Sequence, residues 1–191
     1  MVCPWYPLSV PGIPSLFYLL DADAKAPTDP QTGLPVPRVR ERVEYLVSRL
    51  EKNREKVVVP TPALSELLVR AGSAGPGYLD ILNKSAVFRI ADFDQRAAVE
   101  AAAAIREAIG AGDKRSGSTS PWAKIKFDRQ IIAIAKVAGA STIYSDDDDI
   151  ARLSRSAGIA VVHIQDLPLS PESSQLALLL DAAEGTANPE D

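Results

Sequence analysis

The stretch FDRQIIAIAKVAGASTIYSDDDDI, residues 127 to 150, decides the fold of this chain. It opens with an isoleucine- and alanine-rich run of helical periodicity, in which Asp128 shares a helix face with Ile132. Gly139 then closes the helix, and the β-like run STIYS, residues 141 to 145, follows. We therefore predict a helix, a tight turn and a strand that ends directly at four consecutive aspartates.

The four aspartates, Asp146 to Asp149, raise the question of what offsets their charge. Neighbouring carboxylates repel one another, raise one another's pKa values and disfavour folding unless a cation or a basic group compensates them. The alternative is a solvated turn in which one aspartate caps the next helix. The acidic run by itself leaves both interpretations open.

The bulk composition predicts one globular domain with room for terminal extensions. The chain has 191 residues, of which 46% are hydrophobic and 24% charged, and its formal net charge is -4. Its single cysteine, Cys3, and single histidine, His163, provide neither an intramolecular disulfide nor a His/Cys zinc site. We expect a cytoplasmic protein in which His163 packs in the core or at a strand edge.

Four further β-like runs alternate with helical patterns along the chain. They are LFYLL (16 to 20), VVVP (57 to 60), AVFRI (86 to 90) and AVVHI (160 to 164). This alternation predicts a three-layer α/β/α sandwich with a parallel sheet of about five strands. We divide the chain into an irregular proline-rich arm (1 to 14), a domain (15 to 168) and a C-terminal helix or tail (169 to 191). The prolines of the arm argue against a signal peptide or a membrane helix.

Acidic residues collect where the predicted strands end. Asp21 follows the first run, Glu66 lies in the helix after the second, and the run from Asp146 to Asp149 follows the fourth. In open parallel sheets the ligand crevice lies outside the carboxyl ends of the strands. Hard oxygen ligands suit Mg²⁺ or Mn²⁺, which implies phosphoryl-transfer chemistry. Taken singly, Glu66 and Asp128 also fit solvated helix charges, and Asp21 fits a helix cap.

These segments resemble the PIN-domain ribonucleases, which include the VapC-like toxins. FYLLDADA is similar to the family's first strand and leading aspartate, here Asp21, and VVVPTPALSELL is similar to the segment that carries its glutamate, here Glu66. The stretch from residue 127 to residue 150 resembles the family's most specific block. In that block Asp128 and Asp147 match principal acids, and Asp149 matches an auxiliary acid. The proline-rich arm, the longer loop after Asp21 and the C-terminal tail depart from the pattern.

The resemblance implies an endoribonuclease that hydrolyses RNA phosphodiester bonds with Mg²⁺ or Mn²⁺. Asp21, Glu66, Asp128 and Asp147 would be the catalytic metal ligands, and Asp149 would assist from the outer sphere. Asp146 and Asp148 are then expected to face solvent or to cap the helix that begins near Ile150. Basic residues around Trp122 are candidate RNA contacts, with a solvated basic face as the alternative: Lys114, Arg115, Lys124, Lys126 and Arg129. A toxin of this type would pair with an antitoxin and form a homodimer.

Two other classes of protein use part of the same evidence. In a haloacid-dehalogenase-like phosphatase, LLDADA would supply Asp21 as the nucleophile and Asp23 as the acid/base, but Glu66 and Asp128 would have no role. In a non-catalytic PIN-like binding module the acids would remain while the protein acted by docking a partner.

Overall fold

The computed structural model describes residues 8–11, 18–21 and 24–171. Within these ranges the bounded strands and helices are β1 (Leu8–Pro11), α1 (Val39–Lys52), β2 (Lys56–Pro60), α2 (Thr61–Ala71), α3 (Gly75–Lys84), β3 (Phe88–Ala91), α4 (Gln95–Gly110), α5 (Trp122–Ala138), β4 (Ala140–Tyr144), α6 (Asp148–Ala157) and β5 (Ala160–Val162). Short 3₁₀ turns lie at Gly72–Ala74 and Ile164–Asp166.

The strands form one sheet of five in the order β3-β2-β1-β4-β5, and every pair is parallel. The predicted sheet of about five parallel strands is therefore confirmed. The strand order reverses direction between β1 and β4, which pair from Leu8 with Ala140 to Pro11 with Tyr144. In open α/β sheets such a switch point opens a crevice at the carboxyl ends of the two strands. The acidic run begins two residues after β4 ends.

Helices cover both faces of the sheet. Successive β2 residues point to opposite faces, so each valine of β2 shows which helix covers its side. Val58 packs in a cluster with Ile143 of β4 and with Ile125 of α5. Val57 faces the other way and packs with Leu46 of α1, and Val59 packs with Leu67 of α2. All three valines are at most 3% exposed, as expected for a strand covered on both faces. This is the predicted three-layer sandwich.

Helix α5 contains the first residues of the stretch from 127 to 150, and it ends where the sequence predicts. Gly139 adopts a left-handed conformation with φ of 75°, and its N–H bonds to carbonyls of the last helical turn. Only glycine adopts this conformation without steric cost, so it allows the chain to turn at once into β4. The turn fixes Asp128, in the second turn of the helix, relative to the acidic run beyond the strand.

The first strand differs from the prediction. Residues 18 to 20, inside the run predicted as a strand, are helical, and Leu8–Pro11 instead forms β1 between β2 and β4. A short apolar run such as LFYLL does not distinguish helix from strand by periodicity. In the structure Leu19 packs on the α1 side of the sheet, while Leu20 contacts the cluster of α2 and α3.

Residues 8 to 11 of the predicted arm are therefore not irregular. The remaining arm residues and the tail beyond residue 171 lie outside the described residues, so the division of the chain into arm, domain and tail stays a prediction. Helix α3 was not predicted, because it starts with Gly75-Pro76-Gly77, a sequence typical of turns. Helix α4 starts at Gln95 with Asp94 as its N-cap.

Candidate metal centre

Asp128 is a carboxylate held at the edge of the core by α5. Only 6% of its side chain is exposed, because the flanking helix residues Ile125 and Ile131 are buried in the main cluster. A buried carboxylate needs partners that compensate its charge. Its partner is Lys124, one helical turn earlier, whose Nζ lies 2.8 Å from Asp128 Oδ2.

Asp147 and Asp149 enter the same region from the start of α6. Asp147 is the N-cap, and its Oδ1 accepts the N–H of Asp149 at 2.8 Å and the N–H of Ile150 at 3.3 Å. Capping aims the Asp147 carboxylate back over the helix N-terminus, where backbone N–H groups favour negative charge. Asp149 lies in the first turn of α6, and 9% of its side chain is exposed.

Asp128, Asp147 and Asp149 form one cluster around the Lys124 ammonium. One carboxylate oxygen from each aspartate lies within 4.8 Å of the others. Lys124 Nζ lies 2.8 Å from Asp128 Oδ2, 2.9 Å from Asp147 Oδ2 and 3.1 Å from Asp149 Oδ2. The acidic run is therefore more than a solvated turn, because two of its members converge with a third acid on one cation.

The pKa shifts in this cluster follow from burial and from the shared cation. Burial, opposed by the Lys124 ammonium and reinforced by Asp147 and Asp149, raises the pKa of Asp128 to about 6. Burial would lower the pKa of Lys124, but hydrogen bonds to the three carboxylates outweigh it and raise that pKa well above its usual range. The cluster thus stabilises a cation strongly.

Asp149 has a further set of donors that the sequence analysis missed. Ser120 Oγ donates to Asp149 Oδ2 at 2.6 Å, and Arg152 Nη1 donates to Asp149 Oδ1 at 2.6 Å. Burial raises the pKa of Asp149, but hydrogen bonds from Ser120, Ser118, Lys124 and Arg152 outweigh it, so the pKa lies well below its usual range. The spacings of four between Lys124 and Asp128 and of three between Asp149 and Arg152 are the sequence signals for these ion pairs.

Glu66 lines a cavity of about 590 Å³ that opens beside the cluster. Asp128, Asp147 and Lys124 line the same cavity, together with apolar side chains such as Phe127. The Glu66 carboxylate pairs with Arg70 at 3.1 Å and is 38% exposed. The structure therefore brings Glu66 to the same cavity but leaves it outside the cluster of three aspartates.

Asp21 is placed differently from the prediction. It follows the helical residues 18 to 20 instead of a strand, it is half-buried, and it does not line the cavity beside the cluster. The phosphatase alternative required Asp21 as a nucleophile directly after the first strand, and the structure removes that premise. A role for Asp21 in metal binding stays a prediction.

The other two members of the acidic run have separate environments. Asp148 is exposed, as predicted. Asp146 was expected to face solvent or to cap the helix, but only 18% of its side chain is exposed. Its Oδ1 accepts the N–H of Ile164 at 2.8 Å and lies 3.9 Å from His163 Nδ1. Burial, only partly offset by that N–H and by His163, raises the pKa of Asp146.

The predicted RNA-binding residues differ in their exposure. Lys114, Arg115 and Lys126 are exposed, and Lys114 Nζ lies 5.6 Å from the centre of the half-buried Trp122 ring. Arg129 is buried, at 6% exposure, and donates to Ala104 O and Ser116 Oγ. A guanidinium in that position cannot reach a phosphate at the surface, so Arg129 is removed from the predicted contacts.

The fold and the site together define the class of protein: a parallel α/β domain with a carboxylate cluster at the strand switch point. The family model described as PIN domain matches residues 36–156. This chain belongs to the PIN-domain family, whose members are nucleases. The matched range contains Glu66, Asp128, Asp147 and Asp149 but not Asp21.

Solved structures share the fold at low sequence identity. VapBC2 from Rickettsia felis, bound to a promoter DNA fragment, has a chain that is similar with a TM-score of 0.56 and 14% identity, over 82% of this chain and 98% of that chain. DNA-bound VapBC from Salmonella typhimurium gives a TM-score of 0.52 and 14% identity, over 84% and 99%. No curated protein sequence matches the chain.

The donor set of the cluster fits a divalent cation. Carboxylate oxygens are the ligands that Mg²⁺ and Mn²⁺ prefer, and these oxygens already surround one cation, the Lys124 ammonium. Across residues 8–11, 18–21 and 24–171, no helix is both long and apolar enough to cross a membrane.

Proposed function

We propose that this protein is a ribonuclease that hydrolyses RNA phosphodiester bonds with Mg²⁺ or Mn²⁺. The observation that carries the proposal is the convergence of Asp128, Asp147 and Asp149 within 4.8 Å of one another in a PIN-domain chain. Asp128 and Asp147 are the proposed direct ligands, with Asp149 beside them. Glu66, which lines the same cavity but lies outside the cluster, is proposed to contact the metal through water.

In such a reaction the metal and the residues around it would have different roles. A metal bound in the cluster supplies charge neutralisation at the phosphate and an acidified water. Asp147 is oriented by the N–H groups that it caps, and Asp149 by Ser120 and Arg152. Preorganised carboxylates of this kind hold the geometry without reorganisation during the reaction. Glu66, which lines the same cavity, is proposed to orient a water or a substrate group there.

We further propose that the protein is the toxin of a toxin–antitoxin pair. The support is the shared fold with chains of two VapBC complexes. An antitoxin partner, a homodimeric state and a cytoplasmic location belong to this proposal. Co-expression with the product of a neighbouring short reading frame should suppress toxicity, and light scattering should give twice the mass of one chain. Toxicity that no neighbouring gene suppresses would contradict the toxin role.

The nuclease activity is tested with labelled single-stranded RNA. Cleavage should require Mg²⁺ or Mn²⁺, stop with EDTA, and fall at least about 100-fold in Asp128→Asn, because the amide keeps the shape but loses the charge that holds the metal. Asp148→Asn removes an exposed aspartate from the same run and is the matched control, expected to remain active. EDTA-resistant cleavage, or full activity in Asp128→Asn, would contradict the proposal. Metal binding without cleavage of any RNA would favour a non-catalytic binding module.

A further inference from the structure

Lys124 has a position that its predicted role in RNA binding does not explain. Its ammonium lies between carboxylates from two helices, 2.8 Å from Asp128 Oδ2 on its own helix and 3.1 Å from Asp149 Oδ2 at the start of α6. It is also nearly equidistant from both oxygens of Asp147, at 3.0 Å and 2.9 Å. A solvated surface lysine gains little from an ion pair and is not held in one place by it. Lys124 instead occupies the centre of the cluster.

A divalent ion and this ammonium require the same oxygens. Mg²⁺ binds carboxylate oxygens at about 2.1 Å and demands near-octahedral geometry. An ion at that distance from Asp128 and Asp147, with Asp149 beside it, would overlap the present position of Lys124 Nζ. The two cations would also repel each other at contact distance. Only one of them can hold the centre at a time.

We propose that Lys124 is a built-in placeholder cation, which compensates the three aspartates in the metal-free protein and is displaced when the divalent ion binds. This inference rests on the proposed function, because it concerns the same metal centre. It explains how three converging carboxylates coexist in the folded metal-free chain. It also makes metal affinity depend on a residue that is not a ligand, since every binding event must break the contacts of the ammonium.

The surroundings of Lys124 leave room for this displacement. The side chain is 38% exposed, so the ammonium has a route to solvent without movement of α5. Lys124 lines the cavity of about 590 Å³ and also a second, more open cavity of about 410 Å³. Ser120 and Arg152 line the second cavity. A lysine stem with four rotatable bonds can swing into either space while its backbone stays fixed.

Amine labelling of the wild-type full chain tests the displacement directly. The protein is acetylated with a water-soluble ester, with and without saturating Mg²⁺, and the rate at each lysine is read by mass spectrometry. A change from mostly bound to mostly displaced ammonium should raise the rate at Lys124 by at least about tenfold. Lys136, on the same helix and paired only with Glu100 among the ion pairs described, is the internal control and should not change. An unchanged or lower rate at Lys124 would overturn the inference.

Calorimetric titration with Mn²⁺ provides a second, independent readout. Lys124→Met should bind Mn²⁺ about tenfold more tightly than wild type, because no charged hydrogen bonds must be broken. Arg152→Met is the matched control, since it removes an equal charge from Asp149 without vacating the centre, and should tighten binding less. Equal affinities of wild type and Lys124→Met, or equal gains in both variants, would overturn the placeholder role alone.

The two proposals fail in distinguishable ways. If neither wild type nor Lys124→Met binds Mn²⁺, the metal-dependent function is refuted together with the inference. If wild type binds Mn²⁺ while labelling of Lys124 is unchanged, the metal centre stands and only the placeholder is refuted. Because the labelling experiment uses the wild-type chain, it decides the question even if Lys124→Met does not fold.

Discussion

Replacing Asp128 by asparagine should stabilise the metal-free protein at neutral pH. Burial raises the pKa of Asp128 from its ordinary value of 3.8 to about 6, so the folded protein holds the proton more tightly than the unfolded chain does. The stability contributed by the protonated carboxyl is full below pH 3.8 and is lost as the pH rises through about 6. Since one pKa unit corresponds to about 1.4 kcal/mol, the complete loss is about 3 kcal/mol.

The assay is urea denaturation in EDTA, followed by circular dichroism across the pH range. Between about pH 4.5 and about pH 8, wild type should lose about 2 kcal/mol of unfolding free energy that Asp128→Asn retains. Asp148→Asn, at an exposed position, should differ from wild type by less than about 0.5 kcal/mol. A difference between wild type and Asp128→Asn that does not vary with pH would refute the assigned burial and charge environment of Asp128.

Three further changes test the scaffold, each by urea denaturation against wild type. Asp94→Ala removes the side chain that accepts the Ala97 N–H at the start of α4 and should cost about 1 kcal/mol, whereas no loss would mean that the cap is formed otherwise. Ile143→Ala truncates a fully buried side chain in β4 and should lower the unfolding free energy by about 3 kcal/mol. A loss below about 1 kcal/mol, close to the effect of a surface substitution, would contradict its burial. Arg129→Met should lower the unfolding free energy by about 2 kcal/mol, because two hydrogen bonds are lost. Lys126→Met, at an exposed position, should leave it nearly unchanged, and equal effects of the two substitutions would contradict the burial of Arg129.

Most of the sheet could be predicted from the sequence because its signals are local. The runs at VVVP, AVFRI, STIYS and AVVHI contain β-branched residues and are bounded by turn signals, and each overlaps an observed strand. Gly139 could be placed at the end of α5 because a left-handed residue there favours glycine. The first strand was misplaced because LFYLL is apolar enough for either structure. Residues 18 to 20 are helical, and Leu19 and Leu20 pack in the clusters that contain α1 and α2.

The site was only partly predictable for a related reason. That Asp147 would point into the crevice followed from the resemblance, but its second role as N-cap depends on where α6 begins. Asp146 was expected at the surface because its partner, the N–H of Ile164, is distant in sequence. Lys124 was assigned to RNA because its charge was visible in the sequence. Its pairing with Asp128 follows from their spacing of four, but Asp147 and Asp149 reach it only through the packing of α5 against the start of α6.

The most direct test of the metal centre is a crystal structure of the protein grown with Mn²⁺ and measured with anomalous scattering. We predict a manganese peak about 2.1 Å from oxygens of Asp128 and Asp147, with Asp149 beside it and Lys124 turned away from the centre. If Lys124 still contacts the three carboxylates at saturating Mn²⁺, and any manganese peak lies elsewhere, the proposed metal centre and the displacement of Lys124 are both contradicted.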